Sequence, residues 1–257
     1  MPLTKPIACL TPNVLAKYND KLVGTFGDCA SYSFQNSKHL TSGEGGAIIT
    51  NDSIFADDLR KVQSLGYANV SAKSGRVTKD TIQDPEYDRH VTLGWNYRMP
   101  ELCCAVALAQ LENIYALVER RIEVAKLFYN FTKNFHEWFV PQFIPNNCKS
   151  SFWTWVIILK RDDINFYDFR NKYRSLGGDG IYAAWKLTYD EPAFINHKFL
   201  NRQNFISKDN LNKYKNNPCP SAKYLQPRLL CFKTNYWDFK DAEIQAEILK
   251  KTLNYFN

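Results

Sequence analysis

The sequence contains no apolar run long enough to cross a bilayer. Its longest, Phe152 to Leu159, falls far short of the ~20 residues a spanning helix needs. Met1 to Leu10 holds one lysine, two prolines and only the short apolar run Ile7 to Leu10, so the build of a signal peptide is missing. Cys-x-x-Cys is also absent, although there are seven cysteines. Cys103 and Cys104 stand side by side in a helical pattern and read as small buried hydrophobes. The histidines His39, His90, His136 and His197 show no metal-ligand spacing and read as core or surface residues. There is no internal repeat and no low-complexity tract. The formal charge is +7, yet the positive residues are interspersed with acidic ones and form no basic run. That sets aside a nucleic-acid module and leaves phosphorylated small molecules as acidic partners. Together these absences predict a cytoplasmic chain with reduced thiols and no membrane partner, in which the sequons at Asn69 and Asn130 have no consequence.

What is present is ample for a packed core: 257 residues, 45% hydrophobic and 15% aromatic. Ala30 to Phe34 reads as a strand, followed by a polar loop, the Gly43–Gly46 turn and a second strand from Ala47 to Thr50. From about Ser53 an amphipathic helix carries Ile54, Phe55, Leu59, Val62 and Leu65 on one face, with Gly66 placed to end it. Residues 68–90 read as a long polar loop. Pro100 then opens a long helix, bent near its middle, in which Leu102, Ala105, Val106, Ala109, Ile114, Leu117, Val118 and Ile122 keep helical spacing. A change of texture near residue 135 predicts a separate small domain. It comprises a strand at Phe152–Leu159, a helix at Phe166–Leu176, a strand at Ile181–Ala184 and a closing helix at Asp241–Leu253.

The stretch with most chemical content is Ser31-Tyr-Ser-Phe-Gln-Asn-Ser-Lys-His-Leu-Thr-Ser-Gly-Glu-Gly-Gly46. Lys38 lies in a loop between two strands. Desolvation there would free its amine as a nucleophile toward a carbonyl. Ser33 offers a hydroxyl for a phosphate oxygen, and Gly43, Gly45 and Gly46 allow close backbone approach. From these features alone, a solvated loop lysine beside a glycine-rich turn is the simpler reading.

The segment resembles the cofactor-lysine motif of the DegT-type (StrS-like) sugar aminotransferases, Ser-Phe-x-x-x-Lys followed by a Thr-Thr-Gly-Glu-Gly-Gly-like turn. Here the match is Ser33-Phe34-Gln35-Asn36-Ser37-Lys38 and Thr41-Ser42-Gly43-Glu44-Gly45-Gly46. Val23-Gly24-Thr25-Phe26-Gly27-Asp28 is similar to the family's approach strand, and Gly94-Trp95-Asn96-Tyr97-Arg98-Met99 to its Gly-x-Asn-x-Arg element. The resemblance implies an α/β chain corresponding to the C-terminal part of the aspartate-aminotransferase-like (fold type I) fold. Residues 1–134 would be the remainder of the large domain and 135–257 a small α+β domain.

The same resemblance implies pyridoxal 5′-phosphate held covalently by Lys38, with Ser33 on its phosphate. Asn96 or Arg98 would reach the cofactor phosphate of a neighbouring subunit in a homodimer; a helix cap is the other reading for Asn96. Trp185 and Lys186 would touch the sugar nucleotide, while Glu44 organises its own turn. The implied reaction moves an amino group, from glutamate, to a nucleotide-linked keto-sugar. A branch with histidine in place of the lysine performs dehydration, and Lys38 sets this chain apart from it. One departure stands out. Where the family reads Glu-Asp-x-Ala-Gln, this chain places Cys9 at the aspartate and Pro12 at the glutamine, so the carboxylate that pairs with the pyridine nitrogen is lost. The family's preceding block has no counterpart, which predicts an N-terminally truncated member. The alternative function is therefore an inactive interaction or structural protein, or a half that needs a partner chain.

Overall fold

The computed structural model describes residues 8–9, 14–68, 70, 78–195 and 219–257. The chain divides into two compact units, Met1–Glu119 with Pro145–Ser151, and Arg120–Ile144 with Phe152–Asn257. This path differs from a single division near residue 135. The chain leaves the first unit inside a helix and returns to it for residues 145–151.

In the first unit, β1 (Ala8–Cys9) runs parallel to β4 (Cys29–Ser33), which pairs antiparallel with β5 (Gly46–Thr50). A second small sheet has the order β3–β2–β7. Here β2 (Lys17–Tyr18) and β3 (Lys21–Leu22) form a hairpin, and β7 (Cys148–Lys149) pairs with β2. The hairpin turns through Asn19 and Asp20, both at positive φ, the pair that a two-residue hairpin of native twist requires.

Helix α1 (Ser53–Gln63) is capped by Asp52, whose carboxylate accepts from the Ile54 and Phe55 amides. It ends three residues before Gly66, and Leu65 and Gly66 both adopt positive φ. A short α2 (Lys79–Gln83) lies within the stretch read as loop. The helix from Pro100 is two: α3 (Glu101–Glu112) and α4 (Ile114–Thr132), broken at Asn113, whose side chain turns back to the Ala109 carbonyl. Pro100 caps α3 rather than opening it, with no side-chain hydrogen bond. Contrary to the helical pattern, α3 buries none of its residues: Cys103 is half-buried, Cys104 exposed, and Leu102 83% exposed. Periodicity shows which residues share a side but not what covers it.

The second unit carries the packed core. Its sheet has the order β6–β8–β10–β9, antiparallel throughout, from β6 (Phe139–Pro141), β8 (Thr154–Leu159), β9 (Ile181–Ala183) and β10 (Leu229–Lys233). β8, α5 (Phe166–Ser175) and β9 give the expected strand–helix–strand, with β10 inserted between its strands. Short helices α6 (Pro192–Ile195) and α7 (Pro220–Leu225) precede β10, and α8 (Phe239–Phe256) closes the unit. Phe128, Phe139, Trp155, Phe169 and Phe232 meet ring to ring at 5.5–6.1 Å, and all are buried. Arg121 is buried with them. It donates to the Trp153 carbonyl and Thr234, and desolvation lowers its pKa to about 10. Among the described residues no single helix is long and apolar enough to cross a membrane.

Candidate functional site

β4 ends at Ser33 and β5 begins at Gly46, so the lysine loop is the connection of an antiparallel pair. Its neck is closed by backbone bonds from the Phe34 amide to the Gly45 carbonyl and from the Ser42 amide to the Phe34 carbonyl, both 2.9 Å. Inside the neck, the Lys38 amide donates to the Gln35 carbonyl at 2.9 Å. Gln35 Oε1 accepts from the Ser37 amide and hydroxyl. These bonds make a tight turn that carries Lys38 half-buried at its rim. Ser33 Oγ accepts from the Gln35 amide at 3.3 Å, which leaves its own proton for an acceptor.

The glycines fix the second half of the loop. A Cβ on Gly46 would lie 2.7 Å from the Tyr32 carbonyl oxygen, and one on Gly45 2.6 Å from Met99 Sδ. Gly45 therefore lets Met99 reach the loop, and this brings the residues before α3 to the lysine turn. Glu44 is exposed, with its carbonyl accepting from Ser42 Oγ at 2.9 Å.

Asn96 and Arg98 are positioned from the other side. A Cβ on Gly66 would stand 1.8 Å from the Thr92 carbonyl oxygen, so only glycine admits residues 92–94 against the end of α1. Trp95 and Tyr97 then exchange backbone bonds with Val62, Gln63 and Leu65. Asn96 forms a β-bridge with Ser64 and is exposed; it does not cap α3. Arg98 Nη1 donates to Ser64 Oγ at 3.2 Å. The Trp95 and Tyr97 rings stack at 5.9 Å and stand 55% and 67% exposed.

In the second unit Trp185 is 82% exposed and Lys186 exposed, just beyond the end of β9. Gln226 holds the Ala184 carbonyl at 3.0 Å.

Of the histidines, His39 is buried and donates Nε2–H to the Ser151 carbonyl at 2.7 Å. His90 bonds the Leu65 carbonyl, His136 meets Thr132, and His197 lies outside the described residues, as does Pro12. The sequence reading missed Ser151. It is 1% exposed, and its hydroxyl has no hydrogen-bond partner among the described residues. Only its proximity to His39, across 112 positions of chain, marks it.

Solved structures share this architecture. The sugar aminotransferase CalS13 from Micromonospora echinospora superposes with a TM-score of 0.70 at 20% identity, over 94% of this chain and 55% of that one. An Escherichia coli GDP-4-keto-6-deoxy-D-mannose-3-dehydratase with bound hydrated PLP gives 0.69 at 21%, over 95% and 59%. The fold is thus that of the fold type I enzymes to which sugar aminotransferases belong. The chain is a member of the DegT/DnrJ/EryC1/StrS aminotransferase family, whose model matches residues 13–210. Among curated relatives, the GDP-perosamine synthase of Escherichia coli O157:H7 is 35% identical over 44% of this chain and 27% of its own length. A UDP-4-amino-4,6-dideoxy-N-acetyl-beta-L-altrosamine transaminase of Campylobacter jejuni is 28% identical over 68% of this chain and 43% of its own. The chain spans less than half the length of these relatives.

Proposed function

We propose that this chain carries the cofactor-lysine half of a pyridoxal-phosphate enzyme that moves an amino group, from glutamate, to a nucleotide-linked keto-sugar for amino-sugar biosynthesis. The observation that carries the reading is the turn itself, with Lys38 at its rim and Ser33 at its foot, in the family's own spacing. Lys38 would hold the cofactor through its amine and Ser33 would donate to the phosphate. The cofactor supplies an electron sink for the carbon that changes its bond to nitrogen. Lys38 is the group of this chain able to hold and return the proton at that carbon, since a primary amine is both base and acid. Trp185 and Lys186 would receive the sugar nucleotide, the lysine as cation and the indole as an apolar wall.

Cytoplasmic homodimerisation belongs to the same reading. The homodimer is supported by the uncovered apolar surface of α3, where Val106, Leu108 and Leu111 are 50%, 58% and 53% exposed. Asn96 and Arg98, exposed beside the lysine loop, would serve the partner's cofactor phosphate.

The donor set fits at the amine and phosphate ends and fails at the ring nitrogen. Cys9 stands where the family has its aspartate, on a strand beside β4 in register with Ser31. A thiol gives a protonated pyridine no carboxylate partner. This favours the second reading, a member that keeps the cofactor-lysine turn and the dimer surface without turnover. The test mixes the protein with cofactor, reduces with borohydride and maps the adduct by mass spectrometry. Clean labelling at Lys38, lost in Lys38→Ala, is expected; labelling spread over surface lysines in both proteins would refute the site. Amino transfer by the unaltered chain would refute the second reading.

A further inference from the structure

A cavity of about 740 Å³ opens on the first unit, away from the residues assigned above. One wall is the sheet β3–β2–β7. Its register sets Leu22 opposite Lys17, and Lys17 opposite Lys149, so the three lie in one row on one face. The other wall is the first turns of α4, where Tyr115 and Glu119 share a side at a spacing of four. Val118 and Leu15 supply further apolar lining, and Asp20 completes it.

Four features of this cavity are unusual for an inert surface hollow. Like charges directly opposite on neighbouring strands repel, and strand pairing alone gives no reason to set Lys17 against Lys149. Among the described residues neither ammonium forms an ion pair, although Asp20 lines the same cavity. Leu15, at φ 62°, holds a left-handed backbone that costs a bulky side chain of this kind, and such strain clusters where ligands are held. The Tyr115 ring, 75% exposed, offers a flat apolar face.

We infer that this cavity is a second small-molecule site, one that takes a nucleoside diphosphate. The diphosphate oxygens accept from both ammonium groups and relieve their repulsion. The base lies on the Tyr115 ring, and the Asp20 carboxylate accepts from ribose hydroxyls or base N–H groups. The volume is in the range of sites for molecules of that size. Binding in this cavity does not require cofactor at Lys38.

The test is titration calorimetry of the purified chain, free of cofactor, with UDP, GDP and inorganic pyrophosphate. Saturable binding of the nucleotides at one site per chain is expected. It should weaken about tenfold or more in the double variant Lys17→Met/Lys149→Met, since two charged hydrogen bonds are lost. Lys17→Arg/Lys149→Arg should restore it, which excludes misfolding as the cause. Lys250→Met/Lys251→Met, with the same loss of net charge, should bind as the parent does. Tyr115→Ala should bring nucleotide affinity down to that of pyrophosphate. Absent saturation, or equal affinity of the parent and the Lys17/Lys149 methionine variant, overturns the site. Pyrophosphate bound as tightly as UDP, with Tyr115→Ala silent, overturns the nucleoside assignment. Borohydride labelling at Lys38 in the methionine variant reports on the cofactor reading separately.

Discussion

His39 Nε2 donates to the Ser151 carbonyl at 2.7 Å, and this buried bond joins the residue after Lys38 to the segment that leads into β8. A carbonyl only accepts, so the ring carries its proton on Nε2.

Replacing His39 by alanine leaves that carbonyl without its donor and opens a cavity. We expect a loss of ~1–3 kcal/mol in urea unfolding and weaker borohydride labelling at Lys38. His39→Gln, which can place an amide N–H near the same point, should recover most of both. Ser151→Ala keeps the carbonyl and removes an orphaned hydroxyl, so it should be neutral or stabilising. If His39→Ala unfolds like the parent, the bond does not hold the turn.

The two ends of the glycine turn should respond differently. Gly46→Ala drives a Cβ to 2.7 Å from backbone, where nothing flexible can give way. Gly43→Ala meets open space and bears only the strain of φ +86°, about 1 kcal/mol. Gly46→Ala should therefore lose Lys38 labelling under conditions in which Gly43→Ala keeps it. Equal labelling of the two would show that the turn tolerates an opened β4–β5 pair.

Stability should fall below pH 6.5 through His136. The Thr132 hydroxyl lies within reach of the Phe128 and Tyr129 carbonyls and meets His136 Nε2 at 3.0 Å, while Tyr129 packs edge-on at 4.6 Å. Desolvation pushes the imidazole below its ordinary value. As pH drops, the unfolded chain takes up its proton first, so stability declines from about pH 6.5 down to the folded pKa and is flat above. His136→Phe should flatten that part of the profile in thermal melts. An unchanged slope would assign the loss to other groups.

Asp179 gathers a network in the second unit. It pairs with Lys233 at 2.5 Å and accepts from the Tyr236 hydroxyl at 2.9 Å. Burial, and then the Asp179 charge, push the Tyr236 phenol up, so it remains a donor at neutral pH. Asp179→Ala strands that nearly buried hydroxyl and should cost ~1–3 kcal/mol. Tyr236→Phe leaves Asp179 paired with Lys233 and should cost less. The reverse order in urea unfolding would mean that the Tyr236 hydroxyl has another acceptor.

What the sequence determined alone is what short stretches of chain enforce. Gly43 to Gly46 specify the turn that seats Lys38. Apolar spacing specifies α1, α5 and α8, and Phe152 to Leu159 specify β8 to within two residues. Each depends on backbone conformations and side-chain faces fixed within a few positions. Tertiary structure decided the rest. It put β10 between β8 and β9, returned residues 145–151 to the first unit, set Lys149 against Lys17, and brought Ser151 to His39. It also left α3 uncovered despite its apolar pattern. Partners across more than a hundred residues are chosen by which faces can be buried together and which backbone groups still need a bond, and that choice has no signature in local spacing.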